Sequence, residues 1–221
     1  MKYTAFASDY DGTVAFEGRV DEATVAALTR ARAAGLRLVL VTGRELSDLV
    51  HVFPRHALFH VVVAENGAVL CDPASGLVET IAPPPPPALM EALARQGVPA
   101  SAGRSIVATS EPHEQALRTV IRDLGLDWHV ILNKGAVMAL PAAVTKATGL
   151  AAALVRLGLA AEQTIGIGDA ENDEAFLRMC GLSVAVANAL PPVKDLAHVT
   201  TTEAYGAGVS ELIDRVISGQ L

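Results

Sequence analysis

Basic residues never cluster in this chain. Its 17 Lys and Arg are outnumbered by 24 Asp and Glu, giving a net charge of −7. With no Lys/Arg run, a surface built for nucleic acid or anionic membrane is not expected. Aromatics make up only 4%, so the core must come from Ala, Val, Leu and Ile. The two cysteines, Cys71 and Cys180, lie far apart with no CxxC pair. That excludes a disulfide framework and reads as two buried small hydrophobes in a reducing compartment. No uninterrupted apolar stretch has bilayer length. The N-terminus runs into a strand without a charged leader and cleavage site, so the expected location is the cytoplasm. No GxxxxGK[ST] is present, and Gly166-Ile167-Gly168 meets Glu171 where a dinucleotide loop needs its third glycine. His51, His56 and His60 are split by Pro54, so they offer no helical metal pair. No repeat of fixed period is visible.

What is present is apolar and patterned. Hydrophobic residues reach 51% against 19% charged, enough for a sizeable core. A short apolar run over 4–8 ends in Asp9-Tyr10-Asp11-Gly12-Thr13. Asp21 caps a helix that runs to Gly35, and the next apolar run, 36–41, ends in Thr42-Gly43-Arg44. A helix over 45–53 stops at Pro54, and a strand over 60–64 meets the hairpin signal Glu65-Asn66-Gly67. Two short strands, 68–71 and 77–80, extend the sheet antiparallel. Pro83 to Pro87 then form a stiff connector. Residues 83–141 have a rhythm of their own: helices over 89–96 and 112–124, strands over 105–109, 128–132 and 136–140. From Val144 the main pattern resumes with a helix carrying Lys146. A strand over 164–168 ends in Asp169-Ala170-Glu171-Asn172-Asp173, a strand over 182–186 leads to Asn188, a turn spans 204–208, and a last helix spans 209–217. The fold expected is α/β: a doubly wound parallel-sheet core from 1–82 and 142–221, with a small inserted α+β domain over 83–141.

In an open parallel sheet the carboxyl ends of the strands share one edge, where ligands bind. Asp9, Asp11, Thr42, Arg44, Asp169, Asp173 and Asn188 all fall there. Converging carboxylates need a cation, and hard oxygen donors suit Mg²⁺ shared with a phosphate. Thr42 and Lys146 could hold the other phosphoryl oxygens. An Asp can act as nucleophile through an acyl-phosphate, and a second carboxyl group as acid and then base.

Asp9-Tyr10-Asp11-Gly12-Thr13 resembles the DxDGT loop of the haloacid dehalogenase superfamily of phosphatases. Thr42-Gly43-Arg44 is similar to its second motif, Lys146 to its third, and Gly168-Asp169-Ala170-Glu171-Asn172-Asp173 to its fourth, GDxxND. Glu65-Asn66-Gly67-Ala68 and the position of the insert resemble the Cof-type subgroup, whose α/β cap lies between motifs two and three. The resemblance spans essentially the whole chain. It implies Asp9 as nucleophile and Asp11 as general acid/base. It implies Mg²⁺ on Asp9, the Asp11 carbonyl and Asp169, with Asp173 behind the metal or orienting Lys146. It also implies a phosphate cradle of Thr42, Lys146 and backbone N–H groups around Gly12 and Gly43. One departure is Lys146-Ala147, where the family usually has Lys-Gly.

The resemblance also places substrate choice in the cap. The candidates facing the site are Arg104, Glu111, His113, Asn133 and Lys134, with Arg44 and Asn188 from the core. The small cap favours a small phosphorylated metabolite, a sugar phosphate or phosphoglycolate-like acid, whose second anionic group Lys134 or Arg104 could pair. The expected activity is Mg²⁺-dependent phosphomonoester hydrolysis by a monomer or homodimer. A phosphosugar mutase of the same superfamily and a non-catalytic phospholigand-binding or partner-docking module are the alternatives.

Overall fold

In the computed structural model, which describes residues 2–133 and 135–221, β1 (Ala5–Asp9) lies inside an eight-stranded sheet. The other core strands are β2 (Arg37–Val41), β3 (Val61–Ala64), β4 (Val69–Asp72) and β5 (Leu77–Thr80) before the insert. After it come β10 (Thr164–Gly168), β11 (Leu182–Ala185) and β12 (Val199–Thr200). The order is β12-β11-β10-β1-β2-β3-β4-β5. Strands from β12 to β3 are parallel, and β4 and β5 run antiparallel. The chain leaves β1 toward β2 on one side and returns as β10 on the other. Their loops therefore diverge at β1 and open a crevice above Asp9. β1 and β10 are buried along their whole length, which is why both read as unbroken small and apolar runs.

Helices cover this sheet. α1 (Glu22–Ala33) starts where the Asp21 carboxylate accepts the Thr24 N–H at 2.7 Å, and Gly35 follows its end at φ +97°. α1 packs on α8 (Tyr205–Ile217), and α5 (Lys146–Leu157) packs on α6 (Glu174–Met179). α2 (Leu46–Val52) ends before Pro54, and α7 (Pro191–Leu196) precedes β12. α7 and β12 were not expected from the sequence. α8 begins at Tyr205, where a turn was expected over 204–208. The glycines there serve packing: a Cβ on Gly206 would lie 2.0 Å from the Thr24 hydroxyl of α1.

The inserted α+β unit contains α3 (Pro87–Arg95), β6 (Ser101–Ala102), β7 (Val107–Ser110), α4 (Glu114–Asp123), β8 (Trp128–Asn133) and β9 (Ala136–Pro141). Its strand order is β6-β7-β9-β8, and the two-residue β6 was missed from the sequence. Pro87 opens α3 rather than prolonging the connector, because a first-turn proline needs no N–H. Alternation splits the sheet between two cores. Val107, Val137 and Ala139 pack with Leu89, Leu93 and Leu117 of the unit's own helices. Ile106, Met138 and Leu140 join the main core, and Ile131 packs against it. One face of the small sheet thus roofs the crevice. Among the described residues no helix is long and apolar enough to cross a membrane.

The roofed crevice depends on one close backbone approach. The turn after β3 has Glu65, Asn66 and Gly67 at φ +52°, +52° and +111°. It lies against the first turns of α5. A Cβ on Gly67 would sit 2.0 Å from the Thr145 carbonyl oxygen, and one on Gly149 would sit 2.5 Å from Gly67 Cα. Gly149 therefore stays glycine inside a helix, where Ala is favoured by about 1 kcal/mol. Gly149→Ala is expected to destabilise the protein by about 1–3 kcal/mol in spite of that propensity. Thermal or urea unfolding of the variant against wild type measures the sign; a stabilised variant would contradict the close approach.

Candidate active site

Asp9 is the last residue of β1 and is 4% exposed. Lys146, the first residue of α5, is fixed by the Thr145 cap: the Thr145 hydroxyl accepts the Thr148 N–H and the Thr148 hydroxyl accepts the Thr145 N–H. Its ammonium donates to Asp9 Oδ1 at 2.5 Å and to Asp173 Oδ1 at 2.6 Å. Asp173 Oδ2 accepts the backbone N–H groups of Asp169 and Ala170, at 2.8 and 3.0 Å. The Thr13 hydroxyl donates to Asp169 Oδ1 at 3.2 Å. One oxygen each of Asp9, Asp169 and Asp173 lies within 4.8 Å of the others, all three residues buried. Asp9 Oδ2 is buried with no hydrogen-bond partner.

Three neighbouring buried carboxylates share one ammonium, which contacts Asp9 and Asp173, so buried negative charge is in excess. Burial first, then repulsion by Asp173, pushes the Asp9 carboxyl well above its ordinary range, and Lys146 only partly opposes this. Burial alone would lower the Lys146 ammonium; Asp173 and Asp9 outweigh it and hold the group protonated. The donor set and the orphaned Asp9 oxygen fit a hard divalent cation. Both Asp173 oxygens are already engaged, by Lys146 and by the Asp169 loop, so Asp173 orients its neighbours.

Asp11 lies two residues beyond the strand, and its carboxylate takes a two-pronged pair from Arg44 Nε and Nη2, at 2.7 and 2.8 Å. Arg44 also donates to Asp48 at 2.6 Å and lies 5.4 Å from the Tyr10 ring centre. Arg44 is thus engaged by protein carboxylates instead of presenting a free fork to substrate. Thr42 is buried, and its hydroxyl oxygen accepts the Arg44 N–H at 3.1 Å, leaving the hydroxyl hydrogen for another acceptor. Gly43 lines the cavity beside Asp9 and Asp11. Gly12, at φ +92°, donates its N–H to the Ala15 carbonyl, so that group is not available to a phosphate.

Two cavities meet above this floor. One of about 450 Å³ is lined by Asp9, Asp11, Gly43 and Arg44 and roofed by Ile106 and Met138. Another of about 840 Å³ is lined by Lys146, Asp169, Asn172, Arg118 and His129. Asn133 lines both. Arg104 is exposed and lines a different cavity with Glu45, Leu46 and Ser47, which corrects its expected place in the cleft. Lys134 lies outside the described residues. Neither Glu111 nor His113 lines either cavity. Asn188 lines the larger one, but its amide is engaged on both sides: Nδ2 donates to the Gly12 carbonyl and Oδ1 accepts the Tyr205 N–H, each at 2.8 Å.

Sequence reading missed Arg118, His129 and the amide pair in which Asn172 donates to Asn66 at 3.1 Å. The signal for His129 was strand alternation. His129, Ile131 and Asn133 share one face of β8, so naming Asn133 should have brought His129 with it.

Comparison with known proteins agrees with this geometry. The model of a family described as haloacid dehalogenase-like hydrolases matches residues 6–93 and 132–213. The chain is similar to the phosphoglycolate phosphatase of Methanothermobacter thermautotrophicus, 29% identical over 96% of this chain and 97% of that one. It is 38% identical to phosphoglycolate phosphatase 2 of Saccharolobus solfataricus over a shorter segment, 40% of this chain and 37% of that one. A crystal structure of a haloacid dehalogenase-like hydrolase from Bacteroides thetaiotaomicron superimposes with a TM-score of 0.81 at 22% identity, covering 97% of this chain and 99% of that one.

The charge excess has a testable cost. A carboxyl whose folded pKa is raised contributes stability below its unfolded value and loses it as pH rises through the folded value. Metal-free Asp9→Asn should therefore melt above wild type at neutral pH, by about 1 kcal/mol or about 2–4 °C for a chain of this size. The gap should close in acid. Melts in EDTA across pH check this; a variant less stable than wild type at neutral pH would show that the Lys146 pair outweighs the repulsion.

Proposed function

We propose that this chain, which belongs to the haloacid dehalogenase-like hydrolases and is a phosphatase of small phosphorylated substrates, works with Mg²⁺ through an aspartyl-phosphate on Asp9. The observation that carries this is the buried cluster of Asp9, Asp169 and Asp173, two of them, Asp9 and Asp173, bonded by Lys146, with Asp9 Oδ2 unpartnered. Asp9, the Asp11 carbonyl and Asp169 would hold the ion. When bound, it supplies charge neutralisation for the phosphoryl oxygens.

The protein groups divide the remaining work. Lys146 fixes Asp9 through Oδ1 and leaves Oδ2 to attack phosphorus; the bond from phosphorus to the ester oxygen breaks. Asp11, which Arg44 holds as a carboxylate in this structure, must swing out of that fork and take up a proton before it can donate that proton to the leaving oxygen. Asp11, now a carboxylate, takes a proton from water, whose oxygen attacks the aspartyl-phosphate and releases inorganic phosphate and Asp9. Thr42 donates its hydroxyl hydrogen to a phosphoryl oxygen, and Lys146 holds another. Arg44 orients Asp11.

The substrate is a small phosphomonoester, a phosphoglycolate-like acid or small sugar phosphate. The cavity of about 450 Å³ beside Asp9 and Asp11 has room for a small phosphomonoester. The full-length similarity to a phosphoglycolate phosphatase favours the acid.

Phosphate release from 2-phosphoglycolate and a panel of small sugar phosphates, with Mg²⁺ and with EDTA, tests this reading. Release is expected only with the metal, and Asp9→Asn should lower it by at least about a thousandfold. Folded wild type with Mg²⁺ that releases phosphate from none of the esters would overturn it.

A further inference from the structure

Glu65 is the most constrained carboxylate outside the phosphoryl-handling set. It is 1% exposed and sits at φ +52°, a left-handed conformation that a residue with a Cβ seldom adopts. The neighbouring Asn66-Gly67 supplies turn residues suited to such angles, and Gly at position 65 would relax the backbone further. A glutamate kept there points to a purpose for its side chain.

That side chain reaches into the inserted unit. Oε1 accepts the Arg104 N–H at 3.0 Å, and Oε2 accepts those of Ser105 and Ile106 at 2.8 and 3.2 Å. Three consecutive N–H groups of one loop form an anion-binding concavity, and the anion is Glu65. The loop can close on it because residue 103 is glycine; a Cβ there would come 2.9 Å from the carboxylate. The Ser105 hydroxyl in turn donates to the Ala82 carbonyl, where the chain leaves the core for the insert, at 2.8 Å.

The main chain of the same turn reaches into the phosphate loop. Glu65 N–H donates to the Arg44 carbonyl at 2.9 Å, and Asn66 N–H to the Thr42 carbonyl at 3.0 Å. Arg44 continues to Asp11 through its fork. A continuous path of hydrogen bonds thus runs from the roof of the cleft, through Glu65, to the loop carrying Thr42 and to Asp11.

We propose that Glu65 is a positioning residue that couples the seating of the inserted unit to the Thr42–Arg44 loop. The roof over the substrate and the groups that hold and protonate it are then set together. This rests on the roles given to Thr42 and Asp11 under the proposed function. A carboxylate that only completed a turn would need no charge and no left-handed strain. The Glu65 N–H on Arg44, which any residue at this position would keep, ties the same turn to the Thr42–Arg44 loop, so the carboxylate's grip on 104–106 is carried to that loop.

Two variants of the full chain with Mg²⁺ test the coupling. Glu65→Gly removes the carboxylate while relieving the backbone; Glu65→Gln keeps the length and one acceptor oxygen. Amide hydrogen exchange at 104–106 is expected to accelerate at least about tenfold in Glu65→Gly, with Glu65→Gln between it and wild type. The value of kcat/KM for 2-phosphoglycolate, measured well below the melting temperature of the variant and corrected for its folded fraction, should fall about 10–100-fold in Glu65→Gly, with KM rising and kcat falling. Wild-type exchange at 104–106 in Glu65→Gly would overturn the contact. Faster exchange with kcat and KM unchanged would overturn the coupling. A fall in kcat that tracks only the folded fraction, with KM constant, would reduce Glu65 to a structural residue. Exchange is read without substrate, so a wild type that turns over no ester sinks the functional reading separately.

Discussion

One buried ammonium organises this molecule. Lys146 joins Asp9, 137 residues away in the chain, to Asp173, 27 residues away, inside a space that admits almost no water. Opposite charges so placed hold each other firmly, but one cation cannot balance three carboxylates. The result is a polar centre with negative charge left over, closed around by apolar strands. Everything that brings α5 to the correct height acts through this constraint: the Thr145 cap, the missing side chains at Gly67 and Gly149, and the parallel register that puts β1 beside β10.

The second acid lives in a different electrostatic setting. Asp11 is partly exposed and paired with Arg44, whereas Asp9 is buried among like charges. Two carboxylates only two residues apart thus face environments of opposite character. Strand alternation alone does not achieve this. The turn at Gly12 carries the chain out of the sheet, and Arg44 comes from the neighbouring β2 loop to meet Asp11. The two roles proposed for this short motif call for such a separation.

The floor of the site was legible in the sequence because a parallel sheet gathers its strand ends. Polar residues closing apolar runs at Asp9, Thr42 and Asp169 needed no knowledge of packing to be grouped. The roof was less legible. Arg104 was named from its charge, but the Glu65 carboxylate holds its backbone and its side chain stands over another cavity. Asn188 looked like a ligand-facing amide, yet both ends of it bind main chain. Glu65 itself was read as part of a turn signal, which described its backbone and hid its side chain. In each case the deciding contact joins a side chain to a backbone group distant in sequence, and a backbone group carries no residue-type signature. Helix starts failed for a related reason: Gly206 reads as a turn residue, and only its approach to Thr24 explains a glycine inside α8.

The tether that returns from the inserted unit ends at Thr145, one residue before Lys146. Left loose, it would pass every disturbance of the insert directly to the buried ammonium. Gly67 prevents this by pressing its bare Cα side against the Thr145 carbonyl, pinning the tether where it joins the helix. Upstream of that pin, length and composition can drift without moving the charge centre. The buried ammonium is thereby shielded from the insert along the chain itself, and the insert meets the floor of the site through Glu65 instead.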